Sequence, residues 1–249
     1  MIESKRFESK ALRPSGLAIV VGFVFAAMGL GWAADNNAAD NNKDQSEISN
    51  RLAASGKVLD AVMASGNKRA IPEGILQHAK CVAIFPSTVQ VAVLVGAKHG
   101  KGFATCRTAK GWSAPAPLDI SGGSWGAQLG GQEVDLVLVV TDDKGMQELE
   151  SGKFKMGIEA SVAGGPVGEH ASTVTTNADI LSYSRTRGLF AGTNLDGSAI
   201  TEDEDEARTL YGSKVPLRDI LAGKTQAPST SAGFVSEVAK YADQPTQRQ

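Results

Sequence analysis

Two short glycine-containing motifs have the residue types of catalytic or phosphate-binding loops. Residues 122–126 read Gly-Gly-Ser-Trp-Gly and match the G-x-S-x-G pattern of serine hydrolases, in which a helix follows the serine. Gly130 and Gly131 come soon after and disfavour that helix. Residues 96–101 resemble a phosphate-binding loop but are one residue short and lack the following Ser or Thr. We therefore expect no enzyme activity and no nucleophilic role for Ser124.

Metal chemistry has few candidate ligands. The acidic run 202–206 lacks the alternating ligands and the glycine of a calcium loop. Acids in a first helical turn instead complement the helix dipole. The three histidines are dispersed along the chain. We expect neither a metal site nor a cofactor.

Cys81 and Cys106 are the only cysteines of the chain. Both fall in segments that are predicted to be strands, 25 residues apart. In an exported protein, a disulfide between them would stabilise the fold by roughly 3 kcal/mol. The alternative is two separate buried thiols. We favour the disulfide.

The first 33 residues have the pattern of an export signal. Basic residues precede an apolar run over residues 16–30, and small residues follow at Gly31 and Ala33. This pattern predicts a signal peptide over residues 1–33, with bacterial periplasm as the destination. The alternative is an uncleaved membrane anchor, since the apolar stretch is almost long enough to span a bilayer. Residues 34–46 are small and polar and are expected to form a flexible linker.

Charge is distributed unevenly along the chain. The net charge is −2, yet residues 51–110 hold nine basic residues and only two acidic ones. A basic block in an acidic protein indicates a surface for an anionic partner. The alternative is that these cations are solvated and spread over several faces.

Hydrophobic periodicity predicts an α+β fold in a single domain. We expect helices at 46–64, 72–80, 143–151, 201–212 and 216–221, and near the C-terminus at 234–241. The expected strands lie at 81–85, 89–95, 102–107, 112–120, 133–141, 153–162, 171–177, 180–185 and 189–194. Residues 133–141 are the most apolar run and are predicted to be central. Because strands and helices do not alternate, we expect a strongly twisted, barrel-like antiparallel sheet with flanking helices. The 28 glycines of the chain suit the bends and tight turns of such a sheet.

A series of motifs in this order resembles the SYLF domain family. The matching segments are AKCVAIFP (79–86), GKGFATCR (100–107), GWSAP (111–115), GGSWGAQLG (122–130), VDLVLVV (134–140), SGKFKMGIEASVAGGPVG (151–168), ILSYSRTRGLFAG (180–192) and YG (211–212). The resemblance places a SYLF-like domain at 47–224 and leaves 225–249 as a linker with a short C-terminal helix. It implies non-catalytic binding of anionic phospholipids or phosphoinositides, and, in some fungal members, of actin filaments. For an exported chain we expect no actin partner and no nucleic acid.

The basic block supplies the candidate lipid contacts. They are Lys57, Lys68, Arg69, Lys80, Lys98, Lys101, Arg107 and Lys110. We expect the helix 46–64 and a hairpin turn at 96–102 to lie on one side of the domain, so that reversing Lys98 and Lys101 weakens lipid binding without lowering stability. The alternative function is a structural or protein-interaction module of the cell envelope, which would use the glycine-rich face at 121–131 and an exposed Trp125.

Overall fold

The computed structural model describes residues 29–64, 71–167, 178–186, 189–192 and 195–243. Side chains are described for these residues except 29–40, 64, 91–95, 124–130 and 189–192. The chain divides into two compact units, residues 1–42 and residues 43–249. The signal peptide prediction falls mainly on residues 1–28, and the predicted strand at 171–177 also lies outside the described residues.

The described chain contains six α-helices and eight strands. The helices are α1 (Gly29–Ala64), α2 (Glu73–Gln77), α3 (Asp143–Glu150), α4 (Glu204–Tyr211), α5 (Leu217–Leu221) and α6 (Ala232–Ala242). The strands are β1 (Cys81–Thr108), β2 (Gly111–Trp112), β3 (Ala116–Val140), β4 (Lys153–Lys155), β5 (Val162–Gly164), β6 (Ile180–Thr186), β7 (Leu189–Gly192) and β8 (Ala199–Glu202). Among the described residues, no helix is both long and apolar enough to cross a membrane.

One long ribbon of two antiparallel strands forms the frame of the fold. Strands β1 and β3 pair from Cys81↔Val140 to Ala104↔Ala116. The three strands predicted at 81–85, 89–95 and 102–107 are therefore one strand, and the predicted hairpin turn at 96–102 is wrong. The glycines of this segment bend the strand instead of ending it, because pairing continues through Lys98↔Gly122.

Strand β1 curls until its two ends meet. A Cβ atom on Gly102 would collide with the carbonyl oxygen of Ile84, and one on Gly100 would lie 3.0 Å from the Thr88 Cβ. Beyond these contacts, the Arg107 amide donates to the Lys80 carbonyl at 2.7 Å. Glycine is needed at 100 and 102 because the two halves of one strand approach each other there. The result is a half-barrel, and the α+β prediction with a curled sheet is confirmed.

The disulfide predicted between Cys81 and Cys106 is confirmed. Their Cα atoms are 4.0 Å apart, and both side chains are fully buried. Both cysteines belong to β1, so the bond joins the two ends of the same strand. The covalent link therefore fixes the closure of the curl.

The remaining strands widen the sheet by pairing beside the two halves of β3. Strand β6 pairs with the C-terminal half of β3, whereas β8 pairs with its N-terminal half and carries β4. Strand β7 pairs antiparallel with β6. Strand β5 runs parallel to β6, so the sheet is mixed rather than wholly antiparallel. The parallel pair is possible because the connection from 165 to 179 is long enough for a crossover.

The sheet separates two apolar cores. Along β3, Leu136 and Leu138 face a first core that α3 and α5 complete, whereas Val137 and Val139 face a second core. Helices α1, α2 and α6 cover this second core. Residues 136–140 are buried on both faces, and the predicted central position of the run 133–141 is confirmed.

Several local predictions differ from the structure. Residues 34–46 were expected to be a linker but lie in helix α1, although seven of these thirteen residues are Asn or Asp, which are weak helix formers. The helix predicted at 201–212 begins only at Glu204, with Asp203 as its N-cap, since Thr201 belongs to β8. The strand predicted at 153–162 ends at Lys155, and Gly157 starts a turn with φ of +81°.

Candidate functional site

The structure describes six of the eight basic residues that the sequence proposes as lipid contacts. Lys68 and Arg69 lie outside the described residues. Lys57 is on α1, Lys80 immediately precedes β1, and Lys110 lies in the turn before β2. The other three, Lys98, Lys101 and Arg107, are on β1.

Lys98 and Lys101 do not form one surface. They stand three residues apart on a strand whose pairing is unbroken between them, and side chains at odd spacing point to opposite faces of a sheet. Phe103, on the side of Lys101, belongs to the second core, whereas Ala104, on the side of Lys98, belongs to the first. The two lysines therefore have different surroundings.

Lys101 belongs to a cluster of five charged side chains, here called the ion cluster. Its ammonium contacts the carboxylates of Asp203, Glu206 at 3.6 Å and Asp119 at 4.0 Å. Arg51 of α1 donates to both carboxylate oxygens of Glu206. The cluster thus links α1, β1, β3 and α4, and its three acids outnumber its two cations.

Burial and pairing shift the pKa values of the acids in the ion cluster. Burial raises the pKa of Glu206, although Arg51 opposes the shift. Burial also raises the pKa of Asp119. For Asp203, burial is outweighed by bonds from Lys101 and from the Glu206 amide, so its pKa is lowered. These acids neutralise Lys101, which leaves the lysine little attraction for an anionic ligand.

Arg107 holds helix ends together. It donates to Asp243 at 2.6 Å and to the carbonyl groups of Gln77 and Ala242 at 3.3 and 3.2 Å. Its guanidinium also stacks on Trp112, 4.7 Å from the ring centroid. These contacts join α2, α6 and β2, so the side chain is already fully engaged.

Three of the proposed contacts lack a counter-ion among the described residues. They are Lys57, Lys98 and Lys110, whereas Lys80 pairs with Asp143 at 2.6 Å. Lys57 and Lys110 are exposed. Lys98 is half-buried on the first-core side of β1, and burial lowers its pKa. Burial without a counter-ion disfavours the charge of Lys98, and an anion bound there would reverse that effect.

The motif at 122–126 lies inside strand β3, where Ser124 pairs with Gly96. A nucleophile elbow needs a turn from a strand into a helix at this position, and here the strand continues. The side chains of Ser124 and Trp125 are outside those described. Within the described residues, no group of three or more His, Cys, Asp or Glu side chains is arranged to hold a metal.

Acidic side chains predominate in two of the cavities beside helix α4. A cavity of about 440 Å³ between α4 and α5 is lined by Glu150, Glu202 and Glu204 together with Lys214 and Arg218. A second, of about 240 Å³, opens onto the ion cluster. Sequence reasoning missed the ion cluster, because Lys101 and Asp203 are 102 residues apart and only the acidic run 202–206 is visible locally.

Part of the chain matches a family model, and most of it is similar to known proteins. Residues 121–241 match the family model described as Ysc84, Las17-binding protein actin regulator. The chain is 30% identical over 198 residues to the human SH3 domain-containing YSC84-like protein 1, covering 76% of this chain and 58% of that protein.

Two fungal proteins show the same level of similarity. The SH3 domain-containing protein PJ696.02 of Schizosaccharomyces pombe is 30% identical over 202 residues, which cover 77% of this chain and 47% of that protein. Protein YSC84 of Saccharomyces cerevisiae is 31% identical over 170 residues, which cover 66% and 36%. The chain thus spans about half the length of the first two relatives. No solved structure matches. The chain carries a domain of the Ysc84 family, the SYLF family that its motifs resemble.

Proposed function

We propose that this domain is a non-catalytic module that docks on membranes through the headgroups of anionic phospholipids or phosphoinositides. The observation that carries the proposal is Lys98, a half-buried lysine without a carboxylate partner among the described side chains. A lipid phosphate at this position would supply the missing counter-charge. The family resemblance points to the same class of ligand.

Exposed lysines would add weaker, longer-range attraction. Lys57 and Lys110 are exposed and carry no ion pair with any described residue. Each cation near an anionic surface contributes on the order of 1 kcal/mol. Lys80, Lys101 and Arg107 are excluded from this set because carboxylates of the same chain already neutralise them. We also infer from residues 1–33 that the chain is exported, and on that inference actin is not its partner.

A protein-binding role is the second candidate. It rests on the description of the matching family as Las17-binding and on relatives named for SH3 domains. A protein partner would use shape and apolar contacts more than charge, so its binding would depend less on salt.

Co-sedimentation with vesicles separates the two candidates. We expect the chain to bind vesicles that contain phosphatidylglycerol or a phosphoinositide, and to lose this binding as salt rises. Lys98→Gln should weaken binding severalfold. Lys224→Gln is the matched control, because Lys224 is an exposed lysine outside the proposed site. Equal binding by the two variants would remove Lys98 from the site, and absence of vesicle binding would refute the lipid proposal.

A further inference from the structure

The turn after strand β4 presents an apolar side chain to solvent. Ile158 is 72% exposed and is the most exposed large hydrophobic residue in the described part of the chain. The apolar residues on either side of it are buried instead: Phe154, Met156 and Ala160 are almost fully buried in the first core. The turn is therefore anchored on both sides of an outward-facing isoleucine.

Hydrogen bonds hold this turn in one shape. The Gly157 amide donates to the Ala160 carbonyl at 2.7 Å, and the Ile158 and Glu159 amides both donate to the Lys155 carbonyl. Outside the turn, the Met156 amide donates to the Ser198 carbonyl at 2.9 Å. Because the backbone of the turn is already fixed, a partner that covers Ile158 does not have to order this turn when it binds.

Two lysines of β4 precede the isoleucine. Lys153 and Lys155 are exposed and make no ion pair within the described part of the chain. Two acids lie near the same turn: Glu159 accepts a bond from the Lys155 amide, and Asp196 lies against Gly157. The local charge is thus close to balanced, so attraction to this turn must come from the apolar tip rather than from net charge.

We propose that the turn 155–160 inserts Ile158 into a lipid surface while Lys153 and Lys155 remain at the headgroups. This inference rests on the proposed function and adds a second, apolar contact to it. Long lysine side chains can keep their ammonium groups in water beside a buried apolar group. A stable protein interface needs a much larger contact area, whereas one exposed isoleucine can add a shallow apolar contact to a membrane that charged residues already attract.

The test uses the full chain and vesicles of phosphatidylglycerol and phosphatidylcholine. Ile158→Asn should weaken vesicle binding about tenfold, since the variant loses most of the transfer free energy of one aliphatic side chain. Val89→Asn is the matched control, because Val89 is also β-branched and 46% exposed. It should bind like the unaltered chain. Ile158→Trp should show emission that shifts to the blue on vesicles.

The outcomes separate this inference from the proposed function. If the unaltered chain binds vesicles but Ile158→Asn binds equally well, the insertion is refuted and docking through Lys98 stands. If the unaltered chain does not bind vesicles, both proposals fail. Equal losses in Ile158→Asn and Val89→Asn would also overturn the insertion. Unchanged thermal midpoints in all variants would show that each effect concerns binding.

Discussion

Lys98 and Lys101 illustrate how the same residue type takes different roles within one strand. Lys101 faces Asp203 and Glu206, each 7% exposed at the side chain, and is part of the link between α1 and α4. Lys98 faces the other side, where burial lowers its pKa and no described carboxylate opposes that effect. For Lys101 we therefore revise the expectation that reversing both lysines leaves stability unchanged, and we expect a loss of stability instead.

Removing the Lys101 ammonium should destabilise the fold. In Lys101→Met, the nearly buried Asp203 loses its cation, and we expect the free energy of unfolding to fall by about 2 kcal/mol. This lies below the range for a fully buried pair, because Lys101 itself is 39% exposed. Urea unfolding measures the change. Lys224→Met is the control, because it breaks a surface pair with Asp219 and should cost less than about 1 kcal/mol. Equal losses would contradict a structural role for the ion cluster.

At the scale of elements, the curl of β1 depends on glycine where the strand crosses itself. A Cβ on Gly102 would meet the Ile84 carbonyl group and lie 2.7 Å from the Phe85 ring. Backbone atoms cannot rotate away as a flexible side chain can. The half-barrel therefore requires glycine at position 102, where the two halves of β1 approach each other closely.

Gly102→Ala should accordingly lower stability by about 3 kcal/mol, at the upper end of the usual cost of overpacking. Gly123→Ala in the partner strand is the control, since its Cβ would have the Gly96 carbonyl oxygen as its nearest neighbour at 3.7 Å. That substitution should be neutral or slightly stabilising. Thermal unfolding of both variants provides the comparison. A Gly102→Ala chain as stable as Gly123→Ala would argue against the crossing of the strand.

Local signals in the sequence predicted some helix ends well and strand continuity poorly. Helix α3 begins at the predicted residue 143, where Asp142 caps it through the Gly145 amide at 2.8 Å, and α4 ends beside the predicted residue 212, where Gly212 has φ of +71°. Residues 96–102 have the composition of a turn, yet β3 pairs with them throughout. Pairing partners far apart in sequence decide such cases. The same limit applies to the site, where composition identified the basic block but not which cations are neutralised.

At the scale of the whole molecule, closure of the curl joins the two cores. Cys81 and Cys106 belong to the first core, whereas Val82 and Phe103 on the same strand pack in the second. The disulfide therefore ties together strand ends on which both cores are assembled. In the unfolded chain the same bond restricts a loop of 25 residues.

Reducing this disulfide should lower the stability of the whole domain, since it restores freedom to the unfolded chain. The chain-entropy model gives a loss of roughly 3 kcal/mol for a loop of this size. Urea unfolding of the oxidised and reduced protein should show a lower midpoint after reduction. A chain with both Cys81→Ala and Cys106→Ala is the control, because reductant should leave its midpoint unchanged. The prediction is contradicted if oxidised and reduced protein unfold at the same urea concentration. The closure of the curl would then depend on the packing of the two cores and on hydrogen bonds such as that from the Arg107 amide to the Lys80 carbonyl, and not on the disulfide.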